Sequence, residues 1–174
     1  MEVRKMTVDV SSLSVEKALQ MALKSEIETE ETYKKLKSMV NNFILKDKLK
    51  FLASEEKKHQ KILANLYQKM FKGNEPSTAE KSIFPRLSIV LEEEKSSVVD
   101  LLELAMEAEK VSEEFYDDLA EEVDERGVQE ILQYLTSMEH AHYSLLKGEY
   151  DLCIRDEAYY ERDDFQYDMV HIGP

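Results

Sequence analysis

Apolar residues recur at alternating steps of three and four along four stretches of the chain, which is the spacing of one buried face on an α-helix. Each stretch continues for about 25 residues, or roughly 38 Å at a rise of ~1.5 Å per residue. The pattern therefore predicts four long helices, each with one seam that faces a common core. The seams run from Val15 to Val40, from Leu45 to Met70, from Val98 to Val123 and from Val128 to Leu146.

Residues that start or stop helices separate these stretches. Serine and asparagine supply N-caps, whereas a glycine followed by a proline ends a helix. Short breaks make neighbouring helices antiparallel, so the four helices should form two hairpins. The breaks are Ser11, Ser12 and Ser14 before the first helix, Asn41–Asn42 after it, 72–76 (Lys-Gly-Asn-Glu-Pro) after the second, Ser97 with Asp100 before the third, and Gly127 before the fourth.

One domain covering residues 1–174 accommodates these elements. The first hairpin is predicted at about 14–71 and the second at about 97–151. The crossover at 72–96 could reach ~80 Å when extended, which is enough to run the length of a bundle. The tail at 152–174 is acidic and rich in tyrosine. We expect it to form a short helix and an arm that packs on the bundle or on a neighbouring subunit.

The two hairpins are copies of one another. Residues 18–67 and 101–150 align without a gap at a constant offset of 83, with 15 identities in 50 positions. His59, for example, corresponds to His142. One offset shared by two helices and their connection indicates a duplication, and it predicts a bundle with pseudo-two-fold symmetry.

Composition narrows the class of protein. The four glycines and three prolines are few for 174 residues, which favours an all-α fold. The formal net charge of −14 argues against nucleic acid as a partner. Cys153 is the single cysteine, so a disulfide framework or a four-cysteine metal site within the chain is excluded. No signal peptide is evident in residues 1–13 and no run of ~20 apolar residues occurs, so we expect a cytoplasmic protein without a membrane span.

Charged residues interrupt the middle of all four apolar seams. A lone carboxylate at such a position costs several kcal/mol unless it is paired, protonated or bound to a metal. Here four carboxylates and two imidazoles occur at matching depths, and the duplicated spacing makes a metal-free polar network the weaker interpretation. The six candidate ligands are Glu26, Glu56, His59, Glu109, Glu139 and His142.

Two of the helices carry the motif Glu-x-x-His, at Glu56–His59 and at Glu139–His142. Residues at i and i+3 share a helix face, so both side chains can reach one ion. Two such motifs and one glutamate from each remaining helix form the ligand set of carboxylate-bridged dinuclear centres in four-helix bundles. Four carboxylates nearly neutralise two divalent ions, and an oxygen-rich site with one imidazole per metal suits iron or manganese.

These residues resemble the rubrerythrin-type branch of the ferritin-like superfamily over about residues 14–150. The first half of the resemblance consists of Ala22, Glu26 and Tyr33 followed by 52–59 (Leu-Ala-Ser-Glu-Glu-Lys-Lys-His). Its second half consists of Ala105, Glu109 and Tyr116 followed by Glu139 and His142. The resemblance implies a ferritin-like four-helix bundle with two iron ions, which manganese or another divalent metal could replace.

The resemblance also implies a role for each candidate ligand. Glu56 and Glu139 would bridge the ions, Glu26 and Glu109 would be terminal ligands, and His59 and His142 would each bind one ion. The implied activity is reduction of hydrogen peroxide, or reaction with dioxygen, as a defence against oxidative stress. Tyr33 and Tyr116 lie seven residues after the terminal glutamates and could donate to a ligand carboxylate, although ordinary core packing explains them equally well.

Two departures from the family pattern change the expectations. Full-length rubrerythrins carry a rubredoxin-like segment with four cysteines, which this chain lacks, so turnover needs an external rubredoxin-like electron donor. Rubrerythrins also often carry a further glutamate three residues after the third-helix ligand, where this chain has Ser112. The nearest extra carboxylates, Glu30 and Glu113, are expected to face solvent.

Other chemically active residues have ordinary interpretations. His140 is expected on the surface, His171 in the tail is expected to bind no metal, and Cys153 is expected to be an unreactive thiol. A homodimer is expected from the long amphipathic helices. Besides a peroxide-reducing enzyme, two functions stay open: an iron-handling protein with a ferroxidase-like site, and an interaction module in which the metal serves only stability.

Overall fold

The protein is a bundle of four helices in the computed structural model, which describes residues 8–72, 74–84, 97–156 and 159–160. A short 3-10 turn at Val10–Ser12 precedes the bundle, and the described residues include no strand. The all-α prediction is confirmed. The helices are α1 (Val15–Met39), α2 (Phe43–Met70), α3 (Val98–Glu121) and α4 (Arg126–Arg155).

Polar side chains start three of the helices as the sequence predicts. The Ser14 hydroxyl accepts from the Lys17 amide at 3.2 Å, and the Asn42 side chain accepts from the Leu45 amide at 3.0 Å. Ser97 and Asp100 form a complete capping box. These contacts satisfy amides that have no partner within the helix.

The break between the last two helices differs from its prediction. The chain turns at residues 122–125, and Gly127 lies inside the first turn of α4 rather than between the helices. Val123 is buried within this turn, so a buried apolar side chain rather than a glycine holds the connection in place.

Two apolar clusters fill the bundle, one on each side of a polar layer. One cluster includes Leu19, Leu63, Leu119 and Leu132, and the other includes Leu36, Leu49, Leu102 and Leu146. The hairpins α1–α2 and α3–α4 pack with α1 against α3 and α2 against α4. The polar layer between the two clusters crosses all four helices at mid-length. The charged seam residues lie in this layer.

The described part of the crossover packs along the bundle. The Ala79 amide donates to the Gln20 carbonyl at 3.1 Å, and the Gln20 side chain donates to Ser77 at 3.0 Å. Phe84 contacts Leu104 and Ala108 of α3. This chain segment thus leaves the end of α2 and crosses α1 towards α3. The assignment of residues 1–174 to a single domain stays a prediction.

The tail begins later than predicted, because α4 continues to Arg155 and is followed by a turn at Tyr159 and Tyr160. The Tyr160 carbonyl accepts from the Asn41 amide at 2.8 Å, and the Tyr159 hydroxyl donates to Glu149 at 3.1 Å. This turn therefore packs on the bundle beside the start of α2. The remaining residues of the predicted tail (152–174), including His171, lie outside the described residues.

Among the described residues, none of the helices combines the length and apolar character that crossing a lipid bilayer would require.

Candidate metal centre

The six predicted ligands meet in the polar layer at the centre of the bundle. Each helix contributes at mid-length: α1 and α3 one glutamate each, and α2 and α4 one Glu-x-x-His motif each. All six side chains are at most 2% exposed, although they are among the most polar groups in proteins. They are Glu26, Glu56, His59, Glu109, Glu139 and His142.

Glu56 and Glu139 lie between the two histidines. Nδ1 of His59 is 3.0 Å from Glu139 and 3.3 Å from Glu56. Nδ1 of His142 is 3.0 Å from Glu56 and 3.6 Å from Glu139. Each of these two carboxylates therefore presents oxygens to both imidazoles, which is the placement that a bridging ligand requires.

Each of the other two glutamates lies beside one histidine only. Glu26 is 3.4 Å from Nδ1 of His59, and Glu109 is 3.5 Å from Nδ1 of His142. The arrangement thus has two equivalent halves, each with one terminal carboxylate and one imidazole. It matches the roles expected from the resemblance, although metal binding by these residues stays a prediction.

The two imidazole rings stack across the pseudo-two-fold axis. Their centroids are 5.3 Å apart and their planes differ by 17°. Ligand atoms of both histidines, Glu56 and Glu139 lie within 4.8 Å of one another, which suits a shared cation site.

The polar atoms of this layer approach one another without forming aligned hydrogen bonds. Both nitrogens of both imidazoles have no hydrogen-bond partner, and neither carboxylate oxygen of Glu56 has one. Buried polar atoms almost always have a hydrogen-bond partner, because a buried polar atom without one costs ~1–3 kcal/mol of stability. Carboxylate oxygens and imidazole nitrogens that converge without bonding one another fit two cations of the iron or manganese type.

Electrostatics in the layer follow from the crowding of like charges. Burial and repulsion from Glu109 and Glu26 raise the pKa of Glu56 to about 8. Burial and the nearby Glu139 raise the pKa of Glu109 well above its usual value. Burial alone would lower the pKa of His142, but Glu109 and its other carboxylate neighbours raise it to about 12.

The first half of the layer behaves similarly at its histidine. Burial would lower the pKa of His59, but the contacts with Glu139 and Glu26 raise it. Burial would raise the pKa of Glu26, but His59 and Glu56 lower it. Protons thus balance part of the negative charge in the metal-free layer, and a bound metal would displace them.

Two tyrosines connect the halves of the site crosswise. The Tyr33 hydroxyl on α1 donates to Glu109 on α3, and the Tyr116 hydroxyl on α3 donates to Glu26 on α1. Both side chains are fully buried. Each tyrosine therefore orients the terminal glutamate of the other half, a more specific role than core packing.

The Tyr33→Phe substitution is expected to weaken metal binding roughly tenfold, because Glu109 loses the donor that orients it. Competition titration with a chromophoric chelator measures this change. Tyr67→Phe is the matched control, since the Tyr67 hydroxyl is also hydrogen-bonded but to Glu16, far from the layer. Equal affinity in the two variants would reduce Tyr33 to a packing residue.

The additional carboxylates point away from the layer. Glu30 is only 9% exposed, so its expected solvent-facing position is wrong. It is buried because Gln60 donates to it at 2.8 Å and Lys34 pairs with it. Glu113 is partly exposed and lies 3.0 Å from the ring of His140, which is on the surface as predicted.

Three buried acidic residues of the described chain were not singled out from the sequence: Glu28, Glu55 and Glu149. Glu149 is 1% exposed and is paired with Lys48 of α2. Its counterpart in the first hairpin is Leu66, so the mismatch between the repeats was an available signal. Cys153 is buried nearby, and burial and the charge of Glu149 raise its pKa to about 11, as expected for an unreactive thiol.

Comparison with known proteins decides the family. The rubrerythrin family model matches residues 17–150, which include both hairpins and all six candidate ligands. The chain belongs to the rubrerythrin family. Within this family, a buried layer of glutamates and histidines is compatible with a dinuclear metal site.

A solved structure supports the fold of the chain. A hypothetical protein from Pyrococcus furiosus is similar to it, with 38% sequence identity and a TM-score of 0.77. The alignment covers 84% of this chain and 94% of that one. No functionally curated protein shows a significant match. The comparisons therefore establish the family and the fold, and the activity has to be argued from the site.

Proposed function

We propose that this rubrerythrin-family protein is a di-iron oxidoreductase that reduces hydrogen peroxide and draws its electrons from an external rubredoxin-like donor. The observation that carries the proposal is the convergence of both Glu-x-x-His motifs and two further glutamates in one buried layer. When bound, a pair of ferrous ions would supply the two electrons that convert hydrogen peroxide and two protons to two water molecules.

The protein's own residues would hold the two ions and exclude water from them. Glu56 and Glu139 would hold the two ions at a fixed separation, and Glu26 and Glu109 would each complete one half. The apolar clusters above and below exclude bulk water from the layer. Exclusion of water strengthens electrostatic interactions within the layer and protects reduced metal from unproductive oxidation.

The tyrosines place protons beside the layer. Tyr33 and Tyr116 keep their protons, since burial and the neighbouring glutamates raise the pKa of both phenols well above the usual value. Each phenol points its proton at a terminal carboxylate. Each phenol would thereby hold its carboxylate in the orientation needed to bind an ion.

The alternative is an iron-handling protein with ferroxidase activity and no peroxidase turnover. The observation that favours it is the single, buried Cys153, since no thiol cluster among these residues could relay electrons. A single thiol also suits the reducing cytoplasm, where we place the protein.

Anaerobic stopped-flow mixing of the ferrous-loaded protein separates the two functions. The proposed peroxidase oxidises its iron faster with hydrogen peroxide than with dioxygen, and it turns over repeatedly when reduced rubredoxin is supplied. A rate with peroxide no greater than that of free ferrous ion would refute the proposal. Fast oxidation by dioxygen, without turnover with rubredoxin, would establish the ferroxidase instead.

A further inference from the structure

The two halves of the polar layer have matched candidate ligands but different surroundings. In each half, a terminal glutamate lies beside one histidine, and a tyrosine of the other half donates to that glutamate. The residue that follows the histidine, however, is Gln60 in the first half and Tyr143 in the second. A difference between the two halves therefore arises outside the ligands themselves.

The Gln60 amide connects α2 to α1 beside the first half of the layer. Its nitrogen donates to the main-chain carbonyl of Glu26 at 3.3 Å and to the Glu30 carboxylate at 2.8 Å. A primary amide has two N–H groups, so each acceptor receives one of them. Because Gln60 directly follows His59, this side chain fixes α2 against α1 at the depth of both unshared ligands of the first half, Glu26 and His59.

The Glu30 carboxylate is itself held in place. It is buried and pairs with Lys34 one helical turn further on. Burial would raise the pKa of Glu30, but the contacts with Lys34 and Gln60 lower it. The carboxylate is therefore ionised at neutral pH, and a hydrogen bond to an ionised acceptor is roughly twice as strong as one between neutral groups.

The counterpart of Gln60 in the second half cannot make the same connection. Tyr143 has a single hydroxyl proton, so it cannot donate to a carbonyl and a carboxylate at once. Its ring packs against the apolar cluster that contains Leu102 and Leu146, and Nζ of Lys110 lies 5.9 Å from the ring centroid.

The counterpart of Glu30 is also held differently. The side chain of Glu113 is 28% exposed, compared with 12% for that of Glu30, and it lies 3.0 Å from the surface residue His140. Asp117 takes the place of Lys34 in the second repeat, so the charge beside Glu113 is reversed. The outer side of the second half is thus more open to solvent than that of the first.

We propose that Gln60 is a positioning residue that fixes the metal position formed by Glu26 and His59, and that the position formed by Glu109 and His142 releases its ion first. The proposal rests on the metal centre of the proposed function. Ligands that are already in place hold an ion more tightly, because less order has to be imposed when the ion binds. Residues that orient metal ligands contribute 10–100-fold in affinity.

Charge by itself would favour the opposite order of release. The second half carries Asp117 where the first carries Lys34, so its surroundings attract cations more strongly. Both of these side chains are exposed, however. Exposed charges contribute little to affinity and act mainly on the rate at which ions arrive. The connection through Gln60 therefore decides which ion is retained.

Anaerobic release of ferrous iron to an excess of a chromophoric chelator, followed by stopped-flow absorbance, tests the proposal. The loaded wild-type protein is expected to release one ion per chain in a fast phase and one in a slow phase. Gln60→Met keeps the length of the side chain and removes both donors. We expect this variant to accelerate the slow phase about tenfold or more and to leave the fast phase unchanged.

Three further variants separate positioning from a general loosening of the bundle. Gln129→Met is the matched control, because the Gln129 amide also donates to a main-chain carbonyl, that of Val123 at 2.6 Å, but at the turn between α3 and α4. Both release phases stay unchanged in this variant. Glu30→Gln keeps an acceptor for Gln60 and retains the slow phase, whereas Glu30→Met reproduces the effect of Gln60→Met. Circular dichroism checks that each variant folds, and Glu30→Met replaces Gln60→Met if the latter unfolds.

Three results would overturn the proposal: release of both ions in one phase from the wild-type protein, a Gln60→Met variant with unchanged release, or equal acceleration of both phases in that variant. A protein that binds no iron would refute this proposal and the proposed function together. Two phases with a selective effect of Gln60→Met, in a protein that does not reduce peroxide, would support the positioning role and refute the peroxidase function alone.

Discussion

Glu56→Ala is expected to abolish stoichiometric iron binding and to slow peroxide reduction by the purified protein by on the order of a hundredfold or more. Glu56 lies 3.0 Å from Nδ1 of His142 and 3.3 Å from Nδ1 of His59, so its loss removes an oxygen ligand from both halves of the site. Residues that merely orient a metal ligand already contribute 10–100-fold in affinity, and a shared ligand should contribute at least about as much.

Glu55→Ala is the matched control for this substitution. Glu55 precedes Glu56 on the same helix and is also buried, but its carboxylate pairs with Lys58 outside the layer. Elemental analysis and single-turnover kinetics on the two variants give the comparison. Two iron ions per chain in Glu55→Ala and none in Glu56→Ala is the expected result. Iron retained in both variants would contradict the bridging role.

The helices and the polar layer could be predicted because the signal is local and repeated. A seam with a step of three or four and a charged residue at its centre specifies both the helix and the face that carries the charge. The duplication then fixed the relative depth of the four interruptions, since Glu56 and Glu139 occupy the same place in their repeats.

Contacts between the halves could not be predicted in the same way. The sequence placed Tyr33 on the face of Glu26, but its hydroxyl donates to Glu109 of the other hairpin. Which helix lies opposite α1 depends on how the hairpins pack, and seam spacing within one helix carries no information about that. By the pseudo-two-fold symmetry, the Tyr116 hydroxyl likewise donates to Glu26 of the first hairpin.

Two buried glutamates, Glu149 and Glu30, show where the local sequence pattern does not predict burial. Glu149 replaces the leucine found at position 66, and the structure buries it with Lys48 and Tyr159 as partners. Glu30 looked like a solvent-facing carboxylate, yet Gln60 from the neighbouring helix covers it. In both cases the partner lies on another segment, so burial followed from tertiary packing rather than from the local pattern.

The metal layer is expected to make thermal stability depend on divalent cations. Without metal the layer holds four carboxylates and two imidazoles whose atoms largely lack hydrogen-bond partners. Such groups destabilise a core, whereas ligands that bind only the folded state stabilise it by mass action. Two sites at a hundred times their dissociation constant would add about 5 kcal/mol, which raises the Tm of a protein of this size by about 10–20 °C.

The Glu56→Leu/Glu139→Leu double variant separates the stabilisation from metal binding from the free-energy cost of burying the polar layer. It replaces two buried carboxylates by apolar side chains of comparable size, so its metal-free Tm is expected to equal or exceed that of the wild-type protein. Its Tm is also expected not to respond to ferrous iron or manganese. Calorimetry with and without each metal measures both effects. Two results would show that the layer does not hold cations. One is a wild-type Tm that does not change when metal is added, and the other is a metal-induced rise in Tm that is as large in the double variant as in the wild type.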